Sequence, residues 1–420
     1  MECVTKAWVP KEDWPYQLPD NWCWVYLLDG YAECLDKYRK PVNSSERAER
    51  IGDIPYYGAT GQVGFIDDYL TDEQLVLLGE DGAPFLDLFK DKAYIIEGKA
   101  WVNNHAHILR SYYGSTGNKF LFHYLNQFNY KGYVNGTTRL KLTQASMANI
   151  PIVFPPIPEQ HRIVARIESL FAKLDEAKEK IKTVLEGAEK RKAAILHKAF
   201  TGQLTANWRK ENGVRDDSWE VKKFEDVAEI KSNLVNPQFF QEFPHIAPDN
   251  IKKNTGELLE YHTVAEDNIK SGKHRFYSGQ ILYSKIRPYL SKVVIVDFDG
   301  LCSADMYPIE ARKGICIRYL WYYMLSDTFL NQATTAGSRT VLPKINQREL
   351  NEIKIDVPSL PEQHEIVRLL DNFLAKEKSI VATCEKSLAT IEQMKKSILA
   401  KAFRGELGTN DPGEGSALSQ

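Results

Sequence analysis

The chain contains the decapeptide PPIPEQHRIV at residues 155–164 and the closely similar PSLPEQHEIV at residues 358–367. Seven of the ten positions are identical, and the two copies lie 203 residues apart. The same offset relates AILHKAFTGQLT (194–205) to SILAKAFRGELG (397–408), and RLKLTQASMANIPI (139–152) to LPKINQRELNEIKI (342–355). A constant offset over such separate stretches indicates an internal duplication.

Each PEQ motif opens a segment whose apolar residues recur at heptad spacing, which predicts a long helix. Pro158 and Pro361 suit the first helical turn, where a missing N–H does no harm, and Gly202 and Gly405 suit the helix ends. The first helix is predicted to run unbroken from Pro158 to Phe200, a rod of roughly 60 Å. A narrow apolar seam on such a rod favours a helical partner, so we expect the two copies to pair with each other.

The composition is that of an ordinary globular protein: 420 residues, 43% hydrophobic and 26% charged. The N-terminus does not resemble a signal peptide, and no apolar run approaches the ~20 residues of a membrane span. The six cysteines form no C-x-x-C pair, which favours reduced thiols over a zinc site. The net charge of −2 gives no overall bias towards nucleic acid, so any such surface must come from local clustering.

The repeated frames enclose two stretches of unlike sequence, about 20–155 and 216–358. Both are predicted to be short strands separated by glycine turns, and the glycine-rich YYGSTGNKF (112–120) is included among them. The second stretch adds one aromatic-rich helix near residues 316–331. A duplicated catalytic domain would be expected to repeat a site, whereas a duplicated recognition protein needs its contact surfaces to diverge.

Polar side chains in both stretches are of the types that bind DNA. Arginine and lysine pair with guanine or phosphate, asparagine and glutamine pair with adenine, and aromatic rings contact bases or sugars. The candidate DNA-binding residues in the first stretch are Tyr57, Thr60, Gln62, Asn103, Asn104, His105, Arg110, Thr138 and Arg139. Those in the second are Lys273, Arg275, Ser284, Lys285, Arg287, Ser338 and Arg339.

Two other functions stay open from the residues alone. Asp87, Glu97 and Lys99 match the D…E-x-K pattern with which many nucleases hold Mg²⁺, although the pattern is short and common and an ion pair on a surface strand is the more frequent explanation. A coiled-coil adaptor without a DNA role would also account for the helices. No phosphate-binding loop and no complete methyltransferase motif is present, since GSTGNK (114–119) lacks the required spacing.

Two P-x-x-P-E-Q helices ending in K-A-F-x-G-x-L, interleaved with two unlike stretches, resemble the DNA-specificity subunit of type I restriction-modification systems over nearly the whole chain. The resemblance implies an α+β fold with two α/β target-recognition domains of short mixed strands. Between them it implies two long helices that form an antiparallel coiled coil with pseudo-two-fold symmetry. Each domain would read one half of a split, asymmetric target in double-stranded DNA.

The resemblance also implies partners. The helices would dock two methyltransferase subunits and, through them, the restriction subunits that translocate DNA. This chain would itself be non-catalytic and hold no cofactor or metal, while the complex would use S-adenosylmethionine, ATP and Mg²⁺. We expect no membrane partner and a location in the cytoplasm of a bacterium or archaeon.

Six segments are predicted from these patterns. An N-terminal segment (1–18) carries VTKAW (4–8), which resembles LTANW (204–208) behind the first helix and is therefore assigned as its equivalent. The remaining five are the first recognition domain (19–155), the first long helix (156–205), the second recognition domain (206–358), the second long helix (359–405) and a flexible tail (406–420).

Overall fold

The computed structural model describes residues 7–336 and 343–417. The chain divides into two compact units: unit 1 comprises Met1–Ile181 and Glu385–Gln420, and unit 2 comprises Lys182–Cys384. Each unit therefore holds one of the two unlike stretches together with a part of each PEQ helix. Among the described residues no helix is long and apolar enough to span a membrane.

Unit 1 combines strands with α-helices, and its strands β3 to β9 follow one another without an intervening helix. Its strands are β1 (Cys23–Tyr26), β2 (Ala32–Cys34), β3 (Ile54–Gly58), β4 (Gly61–Ile66), β5 (Thr71–Asp72), β6 (Leu75–Gly79), β7 (Ala93–Ile96), β8 (Lys99–Val102), β9 (Ala106–Ser111) and β10 (Pro151–Phe154). Its helices are α1 (Ser44–Glu49), α2 (Gly114–Gln127), α3 (Gln144–Ala148) and most of α4 (Ile157–Glu186).

Unit 2 follows the same plan. Its helices are α5 (Ala188–Phe200), α6 (Ala206–Glu211), α7 (Phe224–Val227), α8 (Ile317–Met324), α9 (Asp327–Ala336) and α10 (Gln347–Asn351), and α11 (Leu360–Ala402) begins here and ends in unit 1. Its strands are β11 (Glu220–Lys223), β12 (Ala228–Ile230), β13 (Leu234–Val235), β14 (Pro244–Ile246), β15 (His262–Thr263), β16 (Lys273–Phe276), β17 (Ile281–Ser284), β18 (Val293–Ile295), β19 (Gly300–Cys302), β20 (Met306–Ala311) and β21 (Lys354–Val357).

The sheets repeat from unit to unit. In each, the first strand pairs antiparallel with the last: β1 with β10 and β11 with β21. The next sheet has the order β2-β9-β6-β7 in unit 1 and β12-β20-β17-β18 in unit 2, which is the same topology. The remaining sheets, β4-β3-β8-β5 and β13-β16-β19-β14-β15, are mixed, since β3 runs parallel to β8 and β14 parallel to β19.

The long helices are present as predicted, with one small difference. The assignment of the first helix breaks at Gly187, between α4 and α5, whereas α11 is continuous over 43 residues. Gly187 keeps right-handed helical dihedral angles, and its N–H still bonds to the carbonyl of Thr183 at 3.1 Å. The Arg191 N–H likewise bonds to the Gly187 carbonyl at 3.0 Å, so helical hydrogen bonds continue on both sides of the break in the assignment.

The long helices pair within each unit. In unit 1, Asp175 bonds to Lys395 at 2.5 Å, and Glu392 bonds to Lys178 at 2.6 Å. Because one residue number rises as the other falls, the helices run antiparallel, which confirms the prediction. In unit 2, Arg191 Nε donates to Glu377 at 2.8 Å.

Two secondary-structure predictions are wrong. Residues 114–119 belong to helix α2, and not to a strand and turn, because the apolar residues that follow recur at helical spacing and are buried. Gly117 permits this helix to approach β9, since a Cβ there would lie 2.2 Å from Ser111 Oγ. The single helix expected near 316–331 is two helices, α8 and α9, separated at Leu325 and Ser326.

The carboxylate of Glu362, at the start of α11, is fully buried in unit 2. Thr205 Oγ1 donates to it at 2.6 Å, and Arg209 Nη1 donates to the same oxygen at 2.7 Å. Both partners lie in the tail behind the first long helix. That tail thus neutralises a buried charge at the start of the second one.

Glu159, at the start of α4 in unit 1, is buried in the same way, but its hydroxyl partner comes from the end of the chain. Thr409 Oγ1 donates to Glu159 at 2.6 Å, and Arg162 Nη2 donates at 2.7 Å while also bonding to Glu414 at 2.8 Å. Ala417 is buried as well. Residues 406–417 are therefore packed against unit 1, and the expectation of a flexible tail is wrong for this described part.

The N-terminal segment does not supply that contact from its described residues. Tyr26 N donates to Ala7 O at 2.8 Å, and Val9 N donates to Trp24 O at 3.1 Å, so residues 7–9 extend the β1 edge. Thr5, the counterpart of Thr205 in the VTKAW match, lies outside the described residues. The part played by the tail behind the first helix is taken in unit 1 by residues 406–417.

Candidate nucleic-acid interface

Three separate segments of unit 1 meet where β6 ends, and we call residues 79–82, 103–105 and 139–142 junction 1. Glu80 N donates to His105 O at 2.7 Å, and Leu142 N donates to Glu80 O at 2.7 Å. Gly82 N then donates to Leu140 O at 3.0 Å. Main-chain bonds therefore tie the loop between β8 and β9, and the segment before α3, to the end of β6.

Unit 2 has the same arrangement where β17 ends, and we call residues 284–287, 303–305 and 343–345 junction 2. Lys285 N donates to Asp305 O at 3.0 Å, and Ile345 N donates to Lys285 O at 2.9 Å. Arg287 N donates to Pro343 O at 2.7 Å. These are the same three bonds in the same order, so the junctions correspond residue by residue.

The side chains of junction 1 form an ion network around two carboxylates. Asp81 Oδ1 accepts from His105 Nδ1 at 2.7 Å and from Arg139 Nη2 at 2.8 Å. Glu80 pairs with Lys141 at 3.0 Å. The Arg139 side chain is 62% exposed and that of His105 41%, so Asp81 positions both side chains while leaving them open to a ligand.

Junction 2 has the opposite distribution of charge. Lys285 stands at the position of Glu80, and Asp305 stands at the position of His105. Asp305 lies 4.0 Å from Lys285 and 3.5 Å from Lys344. Burial and the neighbouring Lys344 lower the pKa of Lys285, while Asp305 opposes them.

A hairpin stands beside junction 1 and carries three further candidates. Asn103 N donates to Tyr57 O at 3.0 Å, and a Cβ on Gly79 would lie 2.9 Å from Ala59 O, so the β3–β4 turn packs on the junction. Thr60 and Gln62 are exposed on this hairpin.

The remaining unit 1 candidates differ in exposure and in place. Asn103 is buried, and its Oδ1 accepts from His105 N at 2.8 Å, which shapes the loop. Asn104 and Thr138 are exposed beside junction 1. Arg110 lies at the far end of β9, where Glu33 and Glu73 pair with it at 2.6 and 3.2 Å. The structure therefore does not bring Arg110 together with the other candidates.

In unit 2 the candidates on β16 are partly enclosed. Arg275 lies over the rings of Phe240, Phe243 and Tyr277, with its guanidinium carbon 4.8–5.7 Å from the ring centroids. Its Nε atom is buried and has no hydrogen-bond partner among the described residues. Lys273, two residues earlier, is buried and donates to Ser271 Oγ at 2.6 Å.

Three candidates lie in or close to junction 2. Ser284 is buried, and its hydroxyl donates to Ile286 O at 3.1 Å, so it supports the turn. Arg287 is exposed. Ser338 and Arg339 lie outside the described residues.

Sequence reasoning missed five charged members of the junctions, namely Glu80, Asp81, Lys141, Asp305 and Lys344. The 203-residue offset offered a signal for two of them, because it relates Lys141 to Lys344 within a stretch that pairs with the ends of β6 and β17. The three acidic residues carried no signal, since their role depends on contacts far apart in sequence.

The residues of the nuclease hypothesis make separate local contacts. Asp87 accepts from Phe89 N at 2.8 Å, Glu97 accepts from Gln74 Nε2 at 2.8 Å, and Lys99 lies over the ring of Tyr69. In the part of the chain that the structure describes, they are not among the side chains close enough to share a metal ion.

The side chains that do satisfy this distance are Cys34, Asp36 and His107. Both ring nitrogens of His107 are already engaged, with Asp36 at 2.6 Å and with Leu142 O at 2.9 Å. Arg39 pairs with the same aspartate at 2.9 Å. The contacts of His107 and Arg39 lower the pKa of Asp36 in spite of its burial, and the group is an ion network beneath junction 1.

The fold and the two junctions define a duplicated recognition protein, in which one frame displays two different polar surfaces. Comparison with known proteins agrees. The family described as "Type I restriction modification DNA specificity domain" matches twice, at residues 25–187 and 216–388. The type I restriction enzyme EcoDI specificity subunit of Escherichia coli is 35% identical over 93% of this chain and 90% of its own length.

Solved structures show the same fold. The HsdS subunit from Thermoanaerobacter tengcongensis superposes with a TM-score of 0.60 at 18% identity, covering 94% of this chain and 99% of that one. A chain from a study of complex assembly and conformational transition in a type I R-M system gives 0.65 at 17% identity, covering 94% and 100%. The chain belongs to the family of type I restriction-modification specificity subunits.

Proposed function

We propose that this specificity subunit recognises a bipartite, asymmetric sequence in double-stranded DNA, with unit 1 reading one half and unit 2 the other. The observation that carries the proposal is the pair of junctions, which share three main-chain hydrogen bonds but differ in side-chain charge. Direct readout depends on side-chain donors and acceptors at base edges. A common backbone with unlike side chains therefore suits two different half-sites.

The proposed interface is each junction with its neighbouring side chains, of which the exposed members would contact DNA and the buried Asn103, Lys273 and Ser284 would position them. In unit 1 these are Tyr57, Thr60, Gln62, Asn103, Asn104, His105, Thr138 and Arg139. In unit 2 they are Lys273, Arg275, Ser284, Lys285 and Arg287, with Ser338 and Arg339 retained from the sequence. Arg110 is the weakest candidate, because two carboxylates already neutralise it.

We further propose that the chain is non-catalytic and acts within a complex. The antiparallel helices would hold two methyltransferase subunits and, through them, restriction subunits. S-adenosylmethionine, ATP and Mg²⁺ would then bind to those subunits. We place the complex in the cytoplasm of a bacterium or archaeon, where its DNA substrate lies.

Exchanging residues 216–358 for the second domain of another family member tests whether each unit reads one half-site. The chimera, assembled with its methyltransferase partners, should methylate a motif in which one half is new and the other is retained. Exchanging residues 20–155 is the matched control and should change the opposite half. A change in both halves from either exchange would contradict the assignment of one half-site to each unit.

The nuclease alternative has a separate test. Purified chain without partners should leave supercoiled plasmid intact in the presence of Mg²⁺. Cutting that is lost in Glu97→Gln would restore the metal-site hypothesis.

A further inference from the structure

At one position the two junctions share a left-handed backbone conformation but carry different residues. Gly82 in junction 1 has a φ of 72°, and Arg287, which makes the matching bond in junction 2, has a φ of 49°. This left-handed region suits glycine, whereas a side chain with a Cβ is disfavoured there. Unit 2 thus keeps an arginine where the backbone favours the residue found in unit 1.

Among the described residues, no contact of the arginine side chain compensates for this backbone conformation. Arg287 is exposed, and among the described residues its guanidinium makes no hydrogen bond, ion pair or ring contact, although its main-chain N–H bonds to Pro343. Backbone outliers of this kind concentrate at functional sites, where another requirement holds them. Binding of a ligand by the guanidinium would explain why an arginine occupies this position.

The surroundings favour an electronegative ligand. Asp305 is the carboxylate near Lys285 and Lys344 in junction 2, so the described residues of the junction carry these two lysines and Arg287 against one carboxylate. In junction 1, by contrast, Glu80 and Asp81 offset the cations. The excess positive charge in junction 2 therefore includes the Arg287 guanidinium, for which the described residues provide no partner.

We propose that Arg287 binds a pair of acceptor atoms in the half-site read by unit 2, and that unit 1 makes no equivalent contact because Gly82 occupies that position. A guanidinium fits two sources of such a pair, namely N7 and O6 of guanine or two oxygens of a phosphate. The proposal rests on the DNA-recognition function proposed above. It adds a defined residue and a defined asymmetry between the two half-sites.

The variant Arg287→Gly tests this inference with little risk to folding. It installs the residue that unit 1 carries at the same position, and it relieves the left-handed backbone. The variant complex with methyltransferase is assayed for DNA affinity across salt concentrations and for its methylated motif. A lost guanine contact should lower affinity by about ten-fold or more and relax one position of the second half-site.

A lost phosphate contact gives a different result from the same measurements. Affinity should then fall for all sequences alike, and the slope of log affinity against log salt should decrease by about one. In both cases the half-site of unit 1 keeps its sequence. Arg287→Lys separates the two further, because lysine retains the charge but loses the two-pronged geometry.

Two controls isolate the side chain from the backbone. Arg287→Ala keeps a Cβ in the left-handed position and should bind DNA as Arg287→Gly does. Ser291→Gly changes the other end of the same turn, where φ is 43° and the side chain is buried, and should leave motif and salt slope unchanged.

The outcomes separate this inference from the function on which it rests. If Arg287→Gly and Arg287→Ala both keep wild-type affinity, motif and salt slope while the wild-type complex methylates a bipartite motif, Arg287 is not a DNA contact. If Arg287→Gly weakens DNA binding but Arg287→Ala does not, the loss comes from the more flexible backbone and not from the missing guanidinium. That result would also overturn the inference. A wild-type complex without sequence preference would instead reject the proposed function.

Discussion

Junction 1 and junction 2 share their main-chain hydrogen bonds, and yet Glu80 in the first corresponds to Lys285 in the second, and His105 to Asp305. Main-chain N–H and carbonyl groups are common to nearly all residues, so bonds between them can hold three segments together whatever side chains these carry. Because the main chain makes these connections, the side chains of the junctions can differ in charge between the units. A duplicated frame of this kind can evolve two specificities without losing stability.

The starts of the long helices show the opposite behaviour. Glu159 and Glu362 are both buried, and each accepts from a threonine and an arginine. Here side chains, and not the main chain, supply the partners of a buried carboxylate, although Glu362 Oε2 has no hydrogen-bond partner among the described residues. The buried glutamate is therefore the same in both units, whereas the side chains of the two junctions differ.

The largest effect is expected at these buried carboxylates, where the two units differ in exposure. Arg209→Ala should lower the stability of unit 2 by about 3–5 kcal/mol, because it leaves Glu362 buried without its cationic partner. The Arg162 side chain is 38% exposed, and water can replace part of its contact with Glu159. Arg162→Ala should therefore cost only about 1–2 kcal/mol.

Urea unfolding of the full chain, combined with hydrogen exchange of peptides from each unit, measures both effects. Thr201→Ala is a suitable control, since this exposed hydroxyl bonds only to the preceding helical turn. If Arg209→Ala and Arg162→Ala lower stability equally, the exposure of the arginine does not determine how much its contact with the buried glutamate contributes.

A second difference lies on helices α2 and α8. Lys119 pairs with Glu168 at 2.8 Å in unit 1, and Arg318 pairs with Asp371 at 2.6 Å in unit 2. The two acids are related by the 203-residue offset, so the helices correspond at these positions. Four residues further along, unit 1 has His123 where unit 2 has Tyr322.

Unit 1 should consequently lose stability in mild acid. Burial lowers the pKa of His123 to about 4, opposed by the nearby Glu168 and reinforced by Lys119. Because the folded pKa lies below the unfolded value of about 6.5, the stabilisation is present above pH 6.5 and is lost as the pH falls towards 4. At pH 5.5 the loss should be about 1 kcal/mol.

Unfolding free energies measured from pH 7.5 to 5 check this expectation. His123→Tyr installs the unit 2 residue and should flatten this part of the pH profile. An unchanged profile in that variant would mean that another group titrates.

The smallest effect concerns the backbone at Gly82 and Arg287. Gly82→Ala should destabilise unit 1 by about 1 kcal/mol, because it places a Cβ in the left-handed region. Arg287→Gly should be neutral or stabilise unit 2 by up to about 1 kcal/mol, since relief of strain offsets the added freedom of the unfolded chain. Thermal unfolding of both variants measures the difference, and a marked loss in Arg287→Gly would show that the arginine supports the fold.

Much of the frame could be predicted because its signals are local or repeated. The heptad spacing behind each PEQ motif predicted α4, α5 and α11, and the offset of 203 matched β10 to β21. Helix α2 was missed, because Gly114 and Gly117 read as turn residues. Gly117 in fact serves close packing against Ser111, which no local pattern reveals.

The candidate site was predictable only in part. Residue type singled out His105, Arg139, Lys285 and Arg287, which the structure brings to the two junctions. Type alone also singled out Arg110, whose pairing with Glu33 and Glu73 depends on neighbouring strands. The sequence shows that a residue is charged, but it does not show whether an oppositely charged side chain lies on a neighbouring strand.

The sequence by itself determined that this protein is a duplication with two long helices and two unlike recognition surfaces, because periodicity and repetition are properties of the chain. The tertiary structure alone decided which side chains share a junction and which are neutralised. It also revealed that the segments following the long helices donate hydrogen bonds to the buried carboxylates of Glu159 and Glu362. Those contacts join residues more than 150 positions apart, and only folding brings their charges within hydrogen-bonding distance.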